Sequence, residues 1–350
     1  MIFDQPQYDV VLVYPPARAI LEVYDLPDFP NIGIAYIGNY LKNHSGATPA
    51  LIDAKFSRLS IEETVDQIVN LGPKIVGFGA MTPMVTTAAE VAAKVKERLG
   101  DVVMVLGGFH ATFMPERTLQ EFSAFDYVIV GEGEMAFSSL VKFLSEGRRE
   151  PDIQGLWYRR GGEIVSRGRG EIPATLDELG SPGWDLFAPT EMDAFCEALP
   201  VMGQRGCPFS CIFCSRPYGQ LVRKRTPSLI ADEIQADIEK YGVRNIHFFD
   251  ETFSVDRKHT FELYQELVKR NVPESAQWTA TVHANTIDDK LANLMKAAGC
   301  GFAGYGVETG DEDIMAQMNK GVNKDRLLKA RKVLKDVGIT TSGYFILGHP

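Results

Sequence analysis

Cysteine is scarce in this chain, and so are basic residues and long apolar runs. Five cysteines in 350 residues is an odd number, and the start, Met1-Ile2-Phe3-Asp4, has neither the basic segment nor the apolar core of a secretory signal. A disulfide framework is therefore not expected, and the pattern fits a reducing, cytoplasmic compartment. No apolar run reaches the ~20 residues that a membrane-spanning helix needs. Lys and Arg number 36 against 46 Asp and Glu, a net charge of −10, which argues against a general nucleic-acid surface. The one basic run, Arg223-Lys224-Arg225, reads as a solvated face or as a local contact to an anion. No G-x-G-x-x-G follows the first apolar run, so a dinucleotide ligand is disfavoured. Repeats and low-complexity tracts are missing too.

What is present suits two domains: 350 residues, 45% of them hydrophobic. In the first half, apolar runs at Asp9–Tyr14, Ala50–Ile52, Ile75–Phe78, Val102–Leu106 and Tyr127–Val130 predict strands. Helical spacing at Ile34–His44, Ile61–Leu71 and Thr86–Leu99 separates them, with Thr86 or Thr87 as a cap for the third. Such alternation predicts an α/β fold, a doubly wound parallel sheet over residues 1–150. Ligands of such sheets bind at the carboxyl ends of the strands. Glycine-rich turns stand there: Gly107-Gly108-Phe109-His110 and Gly131-Glu132-Gly133-Glu134. Leu156–Tyr158 and Glu163–Val165 flank Arg159-Arg160-Gly161-Gly162 and predict a hairpin. Ile172 to Pro200 reads as a linker anchored by Trp184 and Phe187, so residues 151–195 are assigned to hairpin and linker.

Residues 196–350 alternate again. Strands are expected at Val201–Gln204, Ile246–Phe249, Trp278–Val282, Phe302–Val307 and Tyr344–Leu347, and helices at Pro227–Tyr241, Arg257–Arg270, Asp288–Ala298 and Lys324–Val337. Polar residues close several of these strands: Asp250-Glu251-Thr252, His283, and Glu308-Thr309. That is barrel logic, in which active-site groups collect at the strands' carboxyl ends. Asp250 and Glu251 read as ligand contacts or as solvated loop carboxylates, and His283 as a pocket residue. Glu308 follows an apolar strand and needs a partner cation if buried.

Three of the five cysteines fall in Gly206-Cys207-Pro208-Phe209-Ser210-Cys211-Ile212-Phe213-Cys214, spaced C-x-x-x-C-x-x-C. Thiolates this close share one metal centre or lie in one tight loop. A [4Fe–4S] cube normally takes four thiolates, one per iron, so three leave one iron open. A structural zinc site wants four closed ligands, usually as two separated pairs, and no second pair stands at such spacing. Zinc and free thiols remain the alternatives. Cys300 reads as core, and Cys196 lies in the linker-like stretch.

The spacing C-x-x-x-C-x-aromatic-C after an apolar strand resembles the radical S-adenosylmethionine (SAM) enzymes. The resemblance implies that Cys207, Cys211 and Cys214 hold a [4Fe–4S] cluster whose open iron is chelated by SAM, with Phe213 beside the adenine. One electron from the cluster would then yield a 5′-deoxyadenosyl radical. Gly306-Val307-Glu308-Thr309 resembles that family's Gly-x-Glu-Ser/Thr segment, which implies that Glu308 helps hold SAM, its ammonium being the expected cation. Asp250-Glu251-Thr252 replaces the usual Gly-Gly-Glu. Met318-Asn319-Lys320-Gly321 and Gly348-His349-Pro350 also match segments of the family. The fold implied is a partial (β/α)6 barrel, here expected to be truncated at its C-terminus because the chain stops inside the fifth β/α unit.

The first half resembles the cobalamin (B12)-binding, flavodoxin-like domain of many of these enzymes. The resemblance implies cobalamin contacts from Thr82, Gly107, Gly108, His110, Gly131, Glu132 and Gly133, unless the domain is vestigial and its glycines only make turns. Where older B12 domains carry D-x-H-x-x-G, this chain has Asp28-Phe29-Pro30-Asn31-Ile32-Gly33, so the cobalt-ligating histidine is replaced by Pro30. Together the two resemblances imply a cobalamin-dependent methyltransferase acting on an unactivated carbon through the adenosyl radical and methylcobalamin. A cyclisation, oxidation or rearrangement on the same architecture is the alternative. The implied partners are a small-molecule or natural-product-like substrate and an external flavodoxin- or ferredoxin-type electron donor.

Overall fold

The computed structural model describes residues 8–17, 29–147, 150–188 and 198–348. The chain divides into two compact units, Met1–Ala174 with Glu178–Ala194, and Thr175–Asp177 with Phe195–Pro350.

The first unit is built on a seven-stranded sheet. Strands β1 (Val10–Tyr14), β2 (Pro49–Asp53), β3 (Ile75–Gly79), β4 (Val103–Gly107) and β5 (Tyr127–Ile129) run parallel in the order 2-1-3-4-5. That is the flavodoxin-like order expected of the alternating pattern. β1 is buried along most of its length and pairs on both sides, which suits its run of Val and Leu. Helices Ile32–His44, Ile61–Leu71, Val85–Leu99 and Gly133–Ser145 cover the sheet. Val65, Ile68, Val91 and Val95 lie in one core with Val11, Val76 and Met104 of the strands.

One sequence expectation is corrected here. The helix after β3 begins at Val85 and takes no side-chain cap. Thr87 instead turns its hydroxyl inward to the carbonyls of Pro16 and Met84, each at 2.8 Å. The expected hairpin forms as β6 (Leu156–Arg160) and β7 (Glu163–Ser166), and β6 also pairs antiparallel with β5 and so extends the first sheet. The Arg159 guanidinium secures it by donating to the carbonyls of Leu119, Phe122 and Phe125. Trp184 and Phe187 are buried and stack, as anchors should. Cys196, Asp28, His349 and Pro350 lie outside the described residues.

In the second unit β8 (Ala198–Val201), β11 (Asn245–Phe248), β12 (Gln277–Thr281), β13 (Cys300–Glu308) and β14 (Thr340–Phe345) form a parallel sheet in chain order. Between β8 and β11 a two-stranded antiparallel ribbon, β9 (Gln204–Arg205) and β10 (Arg223–Lys224), forms the neck of a loop. The expected strand Val201–Gln204 is therefore split: β8 ends at Val201, and the chain leaves the sheet before β9 begins. Helices Pro227–Tyr241, Arg257–Lys269, Asp289–Ala297 and Lys324–Asp336 follow the strands. Trp278, fully buried, packs edge-on to Phe248 and stacks near Tyr264, and its indole N–H donates to Ala298 O. Cys300 is buried, as expected of a core residue, and burial pushes its thiol up to about 12.

Helix Ile61–Leu71 opens with a capping box. The Ser60 hydroxyl accepts from Glu63 N, and Glu63 accepts from Ser60 N at 2.8 Å. Ser60→Ala should cost the first unit about 1 kcal/mol, read as a lower denaturation midpoint with an unchanged slope in urea.

Candidate functional site

The cysteine loop hangs from the β9–β10 neck. Gly206 turns the chain into it at φ 96°, and a Cβ there would collide with Leu221 O, so only glycine fits. Cys207 N donates to Gly219 O and Cys214 N to Cys211 O, closing the loop on itself. The segment after β13 clamps it from outside. Ile212 N donates to Met318 O, and the Asn319 amide to the carbonyl and hydroxyl of Ser210. Cys207 and Cys211 are half-buried, while Cys214 and Phe213 are exposed. Burial pushes the Cys211 thiol up, and the Lys320 ammonium works against it.

Among the described residues no group of three or more His, Cys, Asp or Glu side chains is gathered to hold a single metal ion. A zinc ion needs its donors around one centre, whereas a [4Fe–4S] cube takes one thiolate per iron and its ligands stand apart. Three soft thiols spread along one closed loop fit the cube.

The chain itself supplies the cation expected beside Glu308. A bulge between Gly306 and Glu308 interrupts the β13–β14 register, and Glu308 sits at φ 65°, a left-handed backbone that costs a non-glycine residue ~1 kcal/mol or more. The re-aimed carboxylate meets Lys320 Nζ at 2.5 Å, both side chains nine-tenths buried. The ammonium also donates to Gly306 O at 2.7 Å. A Cβ at Gly306 would run into both the carboxylate and the ammonium, so the pair folds over a position where a side chain would have to displace it. The partner cation expected for a buried Glu308 is present within the chain, as Lys320.

His283 is buried and lies flat on Phe209 of the cysteine loop, ring centroids 3.7 Å apart and 10° from parallel. Its Nδ1 accepts from Asn285 N at 3.3 Å. Burial, helped by the Lys320 ammonium, pushes it down to about 4, so the ring is neutral at pH 7.

Asp250 is buried and is not a solvated carboxylate. Its Oδ1 accepts from Gly203 N at 2.7 Å and Gln204 N at 3.1 Å, where the chain leaves β8. Its Oδ2 lies over Gly203, 3.1 Å from where a Cβ would stand. The basic run is likewise corrected: Arg225 is buried and paired with Glu233 at 2.7 Å, and it donates to Met202 O. Lys224 pairs with Asp256. These contacts hold the neck of the cysteine loop, and only tertiary contact reveals them. Lys320, Asn319 and Thr252 were missed for the same reason, although Met318-Asn319-Lys320-Gly321 was visible as a motif without a role.

In the first unit the turns after β3 and β4 cross. Ala80 N donates to Gly107 O and His110 N to Ala80 O, both at 3.1 Å. Gly108, at φ 89°, brings its Cα so close that a Cβ would lie 2.8 Å from the Ala80 backbone. His110 is buried against the Thr82 hydroxyl at 3.2 Å, and burial lowers its pKa. Gly131 N donates to the Thr112 hydroxyl. Glu132 is buried, and Gly133 begins the following helix. Met81, Phe109, Phe113 and Met114 are exposed around the same strand ends. Exposed apolar surface at the carboxyl end of a parallel sheet fits a large, flat, largely apolar ring such as a corrin. Asn31 caps the first helix and donates its N–H to Asp53, so the Pro30 stretch is built into the fold.

Burial pushes the Asp250 carboxyl from its ordinary 3.8 up to about 7, against the two amides and the Arg225 guanidinium that pull it down. The native state then holds a proton that the unfolded chain releases between about pH 4 and 7, so stability falls as pH rises through that window. Asp250→Asn, which keeps the acceptor and removes the proton, should flatten that fall in the second unit, as measured by urea midpoints across this pH range.

The B12 binding domain family matches residues 23–141, and the Radical SAM superfamily matches residues 201–350. The uncharacterized methyltransferase PH0819 of Pyrococcus horikoshii is 31% identical over 347 residues, 97% of this chain and 74% of that protein. The anaerobic magnesium-protoporphyrin IX monomethyl ester cyclase of Rubrivivax gelatinosus is 31% identical over 332 residues, 92% of this chain and 59% of that protein. Among solved structures, the cobalamin-dependent S-adenosylmethionine radical enzyme OxsB, with aqua-cobalamin and S-adenosylmethionine bound, matches with a TM-score of 0.84 at 19% identity, over 97% of this chain and 49% of that one. At that identity the likeness is one of fold. This chain spans between 49% and 74% of the length of these three proteins. Among the described residues no helix is long and apolar enough to cross a membrane. The chain belongs to the radical SAM superfamily, in the branch that joins a B12-binding domain to the radical SAM domain, and its cofactors are a [4Fe–4S] cluster, S-adenosylmethionine and cobalamin.

Proposed function

We propose that this protein transfers a methyl group to an unactivated carbon of a small molecule. The observation that carries this reading is the pairing, in one chain, of a B12-binding segment with a radical SAM segment, along a relative that bears the name methyltransferase. When bound, the cluster with SAM supplies a carbon-centred radical, and cobalamin supplies a transferable methyl group.

The chain's residues hold and shield these groups. Cys207, Cys211 and Cys214 serve as the three cluster thiolates. Glu308, turned by the bulge, contacts SAM while Lys320 neutralises its other side. Phe213 lies beside the adenine. His283 stays neutral and stiffens the loop through Phe209. Thr82, Gly107, Gly108, His110, Gly131, Glu132 and Gly133 line the corrin side. No imidazole serves the cobalt from the Pro30 stretch. A flavodoxin- or ferredoxin-type protein supplies the electron. A second reading, cyclisation or oxidation without methyl transfer, draws on the 31% identity to the cyclase of Rubrivivax gelatinosus.

Cys207→Ala, Cys211→Ala and Cys214→Ala should each abolish release of 5′-deoxyadenosine after anaerobic reconstitution, whereas Cys300→Ala should cost only packing. With SAM carrying a deuterated methyl group, the product should gain the labelled methyl by mass spectrometry. A product of unchanged or reduced mass would favour the second reading. Glu308→Gln keeps the shape and removes the charge, so SAM affinity should fall by about 1–3 kcal/mol in equilibrium dialysis. Unchanged affinity would remove Glu308 from the SAM site.

A further inference from the structure

Thr252 stands where the sequence departs from its family, in Asp250-Glu251-Thr252. Its hydroxyl lies 3.3 Å from Cys207 Sγ and donates at 2.6 Å to Glu251 O. The residue is buried. Three neighbouring contacts fix it. Asp250 is tied to the amides of Gly203 and Gln204, the Gln204 side-chain amide donates to Thr252 O, and Phe253 N donates to Thr281 O. Backbone on either side of the hydroxyl is therefore held, which keeps the hydroxyl beside the sulfur.

A thiol can donate to the Thr252 oxygen. A thiolate bound to iron has no proton and can only accept, and the Thr252 O–H is a donor already within reach. Rotation about one bond moves that hydrogen from Glu251 O to the sulfur. We propose that Thr252 is a positioning residue for the radical chemistry, and that its hydroxyl donates to the Cys207 thiolate and raises the reduction potential of the cluster. The physical basis is charge. Reduction adds one electron, taken from an external low-potential donor, and no bond to the protein breaks. The extra negative charge spreads onto the thiolate sulfurs, so a hydrogen bond there is stronger in the reduced form and favours it. The inference rests on reading Cys207 as a cluster ligand.

The test is a potentiometric titration of the reconstituted protein, followed by electron paramagnetic resonance of the reduced cluster, with iron and sulfide assayed on each sample. Thr252→Val removes the donor at nearly constant shape, and Thr252→Ala removes it without adding bulk. Both should keep a full cluster and accept the electron about tenfold less readily, a midpoint lower by ~59 mV for a one-electron couple. Thr252→Ser restores the hydroxyl and should return the midpoint to that of the unaltered protein. Equal midpoints in all four proteins would overturn the proposal. So would a Thr252→Ser shift as large as that of Thr252→Val, or loss of iron and sulfide from Thr252→Ala with its circular dichroism unchanged, since the hydroxyl would then hold the cluster and not tune it. Absence of iron and sulfide from the unaltered protein would overturn the reading of the three cysteines, and the inference with it.

Discussion

The clamp on the cysteine loop of the second unit depends on a buried ion pair. Glu308 and Lys320 meet in the interior, over a glycine that leaves them room, and a bulge in β13 aims the carboxylate there. Breaking such a pair strands a charge, at ~3–5 kcal/mol. The pair therefore ties the end of β13 to the segment 318–321. That same segment grips the cysteine loop through Met318 and Asn319. A left-handed Glu308 is tolerated because these contacts over-determine it. The strain and the charge both sit at the strand end where a radical SAM barrel collects its chemistry.

On the other side of the loop a second buried network performs the matching task. Asp250 fastens the chain as it leaves β8, and Arg225 with Glu233 fastens it as it returns from β10. The loop is thus rigid at its neck and clamped at its tip, while Cys214 and Phe213 stay accessible. That division suits a soft metal cluster, which needs thiolates held in place and one face open. In the first unit the equivalent device is the backbone crossing of Ala80 with Gly107 and His110, which sets the turns after β3 and β4 side by side.

Strand and helix order was legible in the sequence because it follows from local periodicity. Ile61–Leu71 and Pro227–Tyr241 begin and end as the pattern predicts, since a serine or proline starts each and a left-handed glycine ends it. The cysteine triplet and the two glycine turns were legible because chemistry demands those residue types at short spacing. Function was legible only as a class, through the company those motifs keep.

Partners distant in sequence were not legible. Nothing in Glu308 and Lys320, twelve positions apart, says that a bulge will bring them together. Nothing in Asp250 distinguishes a ligand contact from a carboxyl that accepts two amides 46 and 47 residues away. The hairpin's alternation predicted two strands but not that β6 would join β5, because a sheet edge exists only once the sheet does. The sequence by itself determined the order of the main strands and helices and the ligand-bearing motifs, since these depend on neighbours along the chain. The tertiary structure alone decided which charges are paired, which hydroxyl faces which thiol and which glycines leave room, since desolvation and hydrogen bonding act between residues that meet only after folding.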